Sequence, residues 1–172
     1  KNRESGKQGD LCGFLDADDW WEKDKLKNNL FFLKNRIRNL FHRKSADASR
    51  WNISRKIYSI KQRITYRELL KHNSINCSSV LVRRDVISRF PMEHDDSHED
   101  YITWLKILRE YQCAVGINEP LLKYRLSEGG KSRNKWKSAI MTYRVYRYMG
   151  FNILKSTVLF ISYAIHGLWK YR

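Results

Sequence analysis

Cysteine is scarce and unpaired in this sequence. Cys12, Cys77 and Cys113 are odd in number, lie far apart and form no C-x-x-C pair. That argues against a disulfide framework or a cysteine zinc site and for small buried thiols in a reducing compartment. Long apolar runs are missing too. Ser156–Trp169, the most hydrophobic stretch, has 14 residues and contains His166, whereas a membrane-spanning helix needs roughly 20. Lys1–Asp10 has no apolar core of the kind a secretory signal carries. The chain also lacks an initiator Met, so it is expected to be a fragment whose N-terminal part is missing. Acidic residues are nearly absent from the last third. Leu121–Arg172 holds eleven Lys or Arg against the single acid Glu128, a net +10 of the formal +16. Such an end suits an anionic partner: a membrane surface, a nucleic acid or a phosphorylated substrate.

What is present is a chain of 172 residues, 42% hydrophobic, sized for one globular domain with a substantial core. No internal repeat is visible. Leu11–Leu15 reads as a short buried strand. Helical spacing of Leu26, Leu30, Leu33, Ile37 and Leu40 predicts an amphipathic helix over about Trp21–Phe41. Arg43–Arg63 is basic and without clean periodicity, so a surface loop or partly disordered segment is expected there. Thr65-Tyr66-Arg67-Glu68 has the form of a capping box opening a short helix. Ser78–Val82 reads as a strand, Asp85–Phe90 as a helical turn and His94–Glu99 as a polar loop. A helix over Asp100–Tyr111 would bury Tyr101, Trp104, Leu105 and Leu108. Cys113–Ile117 and Leu121–Arg125 read as strands, Glu128–Lys131 as a loop, and Trp136–Tyr148 and Asn152–Trp169 as helices. The mixture predicts an α/β fold.

The last helix carries a stripe of Leu154, Val158, Ile161, Ile165 and Leu168, with Trp169, Lys170, Tyr171 and Arg172 at its end. It can lie on an anionic bilayer, pack on the domain, or meet a partner chain.

Two acidic clusters carry the chemistry. In Gly13-Phe14-Leu15-Asp16-Ala17-Asp18-Asp19-Trp20-Trp21 an apolar run ends in three carboxylates within four positions. Such crowding is costly unless a cation offsets the repulsion. Mg²⁺ and Mn²⁺ favour oxygen ligands and commonly use one or two carboxylates with substrate phosphates. Alternatively, Asp18 or Asp19 caps the next helix. The second cluster is Asp95-Asp96-Ser97-His98-Glu99-Asp100. Glu99 and Asp100 can serve the helix macrodipole, or one of them can be a general base. His94 and His98 match no zinc-ligand spacing and read as solvated loop residues.

In this order, Phe14-Leu15-Asp16-Ala17-Asp18-Asp19-Trp20-Trp21 with Lys25-Leu26, then Ile64–Leu70, Cys77–Arg84, Glu99-Asp100-Tyr101-Ile102-Thr103-Trp104-Leu105 and Asn118-Glu119-Pro120-Leu121 leading to Tyr124-Arg125 and Ser132, resemble the family 2 glycosyltransferases of bacterial surface-polysaccharide synthesis, over about Asn2–Trp169. The resemblance implies the GT-A fold, N-terminally truncated: a partial catalytic domain over residues 1–135 and a basic helical extension over 136–172. It implies transfer of a sugar, with inversion, from a nucleotide-diphosphate donor, by family habit a UDP-sugar, to a saccharide or lipid-linked acceptor. Asp16 and Asp18 match the Asp-x-Asp motif, Asp16 near the donor ribose and Asp18 on Mn²⁺ or Mg²⁺, with Asp19 behind them. Asp100 matches the general base and Glu99 orients it. Trp104 fits the core, and Arg125 and Ser132 fall where a closing loop approaches the diphosphate. The implied location is cytoplasmic, peripheral on the inner face of the membrane. The strand and loop that bind the nucleotide base in the family are absent here, and Arg43–Arg63 departs from its usual strand. The alternatives are an inactive remnant or a basic module for nucleic acid or membrane; no nucleic-acid-binding motif is present.

Overall fold

The computed structural model describes residues 9–35, 41–42, 47–49, 52–53, 61–117, 119–125 and 135–170, and side chains within these except 31–35, 41–53, 124–125, 135 and 167–170. The chain is α/β, as expected. Strands β1 (Leu11–Gly13), β3 (Phe41–His42), β6 (Arg63–Thr65), β7 (Leu81–Arg83) and β8 (Cys113–Gly116) form one mixed sheet in the order β1-β7-β3-β8-β6. Within it β1 pairs β7 antiparallel, with Cys12 opposite Val82, and β3 pairs β8 in parallel. A smaller sheet runs β2 (Trp20–Trp21), β9 (Leu122–Arg125), β4 (Asp47–Ser49), β5 (Asn52–Ile53).

Helix α4 (Glu99–Tyr111) is the centre of the core. Tyr101, Ile102, Trp104, Leu105, Ile107 and Leu108 are all buried, which includes the face read from spacing. The capping box is present. Thr65 Oγ1 accepts the Glu68 amide at 3.4 Å and the Glu68 carboxylate accepts the Thr65 amide at 2.9 Å, opening α2 (Tyr66–Lys71). The far end of α2 is closed by tertiary partners: Tyr101 Oη donates to Leu69 O at 2.6 Å and Tyr146 Oη to Leu70 O at 2.8 Å. Carbonyls of a last helical turn lack the partners a following turn would give; Leu69 O also accepts the amide of the C-cap residue His72 at 3.2 Å, and two buried phenols complete the helix end. Tyr146 belongs to α5 (Lys135–Tyr148), which adds Val145 and Met149 to the same core; α6 (Ile153–Lys170) lays Leu159, Phe160 and Tyr163 against it.

Four expectations are corrected. Trp20–Trp21 is a strand paired with β9, Trp20 opposite Lys123, and α1 begins only at Lys25 and runs to Asn35. Ring size and β propensity at the double tryptophan outweigh the helical spacing. Among the described side chains of α1 the buried ones are Lys25 and Asn29, while Leu26 and Leu30 are 48% and 42% exposed. The strand expected over Ser78–Val82 begins only at Leu81, in β7, because Cys77–Ser79 is a single 3-10 turn; Asn76 caps that turn, its side-chain oxygen accepting the Ser78 amide at 2.9 Å. The basic stretch after Arg43 contains strands β4 and β5, β4 held by backbone pairing with β9 and β5 by pairing with β4, a pairing that leaves no mark in hydrophobic periodicity. The Glu128–Lys131 loop lies outside the described residues.

Candidate functional site

The first acidic cluster is a β-turn. The Asp19 amide donates to Asp16 O at 3.1 Å, so the chain reverses within four residues and presents Asp16 exposed, Asp18 half-buried and Asp19 buried. Asp favours the first position of such a turn. Behind it, β2 and β9 anchor the exit: the Glu22 amide donates to Leu121 O at 3.0 Å.

The turn is fixed to Cys77–Ser79 by three contacts. Ser78 Oγ accepts the Asp16 amide at 3.1 Å. Trp21 Nε1 donates to Ser78 O at 2.6 Å. Lys25 Nζ donates to Ser79 O at 2.8 Å and lies 5.1 Å from the Trp21 ring centre. Lys25 is 1% exposed, and burial lowers its pKa to about 8. Gly13 permits this arrangement. A Cβ there would stand 2.7 Å from the tip of the Trp21 indole, closer than packed carbons tolerate, so the residue before the acidic strand end has to be glycine for Trp21 to reach Ser78.

The second cluster opens α4. Residues 94–98 are tied to α5: Ser97 Oγ donates to Met141 O at 2.9 Å, Arg144 Nη1 donates to Asp96 Oδ2 at 3.0 Å, and Tyr148 Oη donates to Asp96 Oδ2 at 2.9 Å. The His94 ring stacks on Tyr148 with centroids 3.8 Å apart. His94 and His98 therefore sit against α5, His98 Nε2 lying 3.5 Å from Ser138 Oγ, and neither belongs to a metal cluster among the described residues.

The clusters meet electrostatically. Asp100 is pushed up to about 6, first by burial, with the charges of Asp16 and Glu99 adding and the Tyr101 amide opposing. The Cys77 thiol is pushed far up, first by burial and then by Asp100, Asp16, Glu99 and Asp19. One half-buried cysteine thus feels four carboxylates from two segments about 80 positions apart in sequence. The motifs singled out no role for Cys77, Ser78 or Lys25 beyond the general resemblance; Lys25 was hidden because a lysine amid the charged residues Glu22, Lys23 and Asp24 reads as surface. Trp104 is fully buried, its ring edge-on to Phe14 at 5.6 Å. Arg125 closes β9, with its side chain outside the described residues, as is all of Ser132.

Such an arrangement can hold a cation at the exposed turn and a proton at Asp100. Mg²⁺ and Mn²⁺ commonly take one or two protein carboxylates and complete their shell with phosphate and water. Asp16 and Asp18, accessible on one turn, fit that share of a ligand set; among the described residues no three His, Cys, Asp or Glu side chains form a self-sufficient cluster.

No protein-family model matches the chain. Among curated proteins it is 34% identical over 165 residues, 95% of its own length, to TuaG of Bacillus subtilis, a glycosyltransferase assigned to teichuronic acid biosynthesis. It is 29% identical over 164 residues to WfaP of Escherichia coli, a UDP-Glc:α-D-GlcNAc-diphosphoundecaprenol β-1,3-glucosyltransferase. The chain spans 66% of the first protein and 64% of the second. Among solved structures, S. aureus TarS residues 1–349 in complex with UDP-GlcNAc superposes with a TM-score of 0.61 at 14% identity, covering 92% of this chain and 48% of TarS. That likeness establishes the fold.

Proposed function

Since the chain belongs to the family 2 glycosyltransferases, we propose that it is the acidic-site portion of an inverting, metal-dependent transferase of surface-polysaccharide synthesis. Its donor is a nucleotide-diphosphate sugar, and a UDP-sugar is favoured by the UDP-linked relatives. Its acceptor is a hydroxyl of a saccharide or lipid-linked saccharide, in keeping with the acceptor named for WfaP. Residues 1–135 form the catalytic part and 136–172 the extension, and the reaction is placed on the cytoplasmic face of the membrane.

The observation that carries this reading is the raised pKa of Asp100, caused by burial and by Asp16 and Glu99. A carboxylate with elevated basicity beside a second acidic group suits a general base. Asp100 takes the acceptor hydroxyl proton as the oxygen attacks the anomeric carbon. The bond from that carbon to the diphosphate oxygen breaks on the opposite side, and the nucleoside diphosphate leaves with the electron pair. Burial first, with Asp16 and Glu99 adding, keeps Asp100 basic, and Glu99 is assigned to orienting the site. Asp16 faces the donor ribose, and Asp18, with Asp16, would hold Mn²⁺ or Mg²⁺. A bound divalent cation supplies Lewis-acid stabilisation of the charge on the leaving diphosphate. Arg125 and Ser132 are assigned to the segment that closes over the diphosphate.

The test is sugar transfer by the complete protein from a panel of UDP-sugars to a lipid-linked saccharide acceptor. Asp18→Ala and Asp100→Asn should each lower kcat/KM by at least about a thousandfold, the scale of losing a principal electrostatic or acid–base group. Near-normal turnover in either variant would remove that residue's role.

A further inference from the structure

Helix α6 is apolar on two opposite sides. One side, with Ser156, Leu159, Phe160 and Tyr163, faces the domain core. Leu154, Val158, Ile161 and Ile165 stand at i, i+4, i+7 and i+11, about half a turn away, and are 75%, 58%, 52% and 49% exposed. A helix apolar all round is ordinarily covered on all sides. On α5, Trp136 and Ile140 are also exposed.

Charge selects the occupant. Residues 136–172 contain six Lys or Arg and no Asp or Glu, and the net over Leu121–Arg172 is +10. A second copy laid on this face would bring two strongly positive ends together, which like-charge repulsion opposes. An anionic bilayer answers both features, taking the apolar stripe at the acyl boundary and the cations at the headgroups. Among the described residues no helix is long and apolar enough to cross a membrane, so the geometry is that of a helix lying in the interface plane.

We propose that the outer face of α6 docks on an anionic lipid surface through Leu154, Val158, Ile161 and Ile165, drawn to the headgroups by the net positive charge of residues 136–172. The same α5 holds the loop leading to Asp100 through Ser97 and Asp96, so docking would set that loop at a fixed height above the bilayer. The inference rests on exposure and charge, independently of the proposed reaction.

Flotation of the complete protein with vesicles tests it. The vesicles are phosphatidylcholine alone and phosphatidylcholine with about 30% phosphatidylglycerol, a composition chosen for its negative surface potential. The parent protein should float with the anionic vesicles at least about tenfold more than with neutral ones, and lose that preference in high salt as the charges are screened. The double variant Val158→Gln/Ile161→Gln removes only exposed side chains. It should keep the parental unfolding temperature and lose at least about tenfold in anionic-vesicle binding, the direction set by the lost apolar contact. Failure of the parent to float with anionic vesicles, or equal flotation of the folded double variant, would overturn the proposal. So would a lipid-free, concentration-dependent dimer abolished by the same variant, which would make a second copy the occupant.

Discussion

Ser78 Oγ accepts the amide hydrogen of Asp16 at 3.1 Å, although the two residues stand 62 positions apart. The contact joins the acidic β-turn to the 3-10 turn that also carries Cys77, the thiol that feels Asp100 and Glu99. Through it the acidic turn is fixed beside a thiol on which the charges of both clusters act.

Ser78→Ala should therefore cost about 1 kcal/mol of stability, the usual net value of a hydrogen bond, and loosen Asp16. Donor KM should rise several-fold while kcat falls less. Denaturant titration and steady-state kinetics on the complete protein check both; a fall in kcat at unchanged donor KM would place the contact outside donor binding.

Lys25 gives a pH-dependent expectation. Its folded pKa is about 8, against 10.5 for a free lysine. Below pH 8 it is charged in both folded and unfolded chains, and the desolvation cost is fully present. Between pH 8 and 10.5 the unfolded chain binds the proton more tightly, so this residue makes stability rise with pH across that window. Lys25→Met should remove the rise. It should also leave the Ser79 carbonyl without its donor, a loss of about 1–3 kcal/mol offset in part by removal of the buried cation. Urea denaturation of parent and variant at pH 7, 8.5 and 10 reads the difference, and parallel curves would show that Lys25 is not desolvated.

Asp100 has the opposite sense. Its folded pKa, about 6, lies above the ordinary 3.8, so the folded chain holds the proton more tightly between those values. Stability from this group is fully present below pH 3.8 and is lost as pH rises through 6. Asp100→Asn imitates the protonated form. At pH 7 without divalent cation it should be more stable than the parent by on the order of 3 kcal/mol, from 1.36 kcal/mol per pKa unit, with the gain nearly gone by pH 4, and it should be inactive. A variant both inactive and less stable at pH 7 would mean that Asp100 serves the helix terminus. Stability surrendered at a functional group is the common trade.

The sequence was informative where a local device had a local signature. The capping box at Thr65 and Glu68 and the buried face of α4 follow from short-range spacing, and both are present. It was misleading where tertiary contacts decided the outcome. Leu26 and Leu30 suggested a buried stripe on α1, but Trp21 and the carbonyl of Ser79 draw Lys25 inward instead. β4 is held by backbone pairing to β9 and β5 by pairing to β4, which basic, polar side chains do not announce. In the candidate site the carboxylates were readable as two clusters. Their convergence on Cys77, and the support from Ser78, are products of folding that no spacing within either cluster encodes.

Thermal unfolding of the chain with Mn²⁺ and UDP, separately and together, beside Asp18→Ala, addresses the central claim most directly. An upward shift is expected with both ligands together, from binding to the folded state, and none in Asp18→Ala. An equal shift in parent and variant, or a cooperative transition that neither ligand moves, would contradict a metal–diphosphate site at the acidic turn.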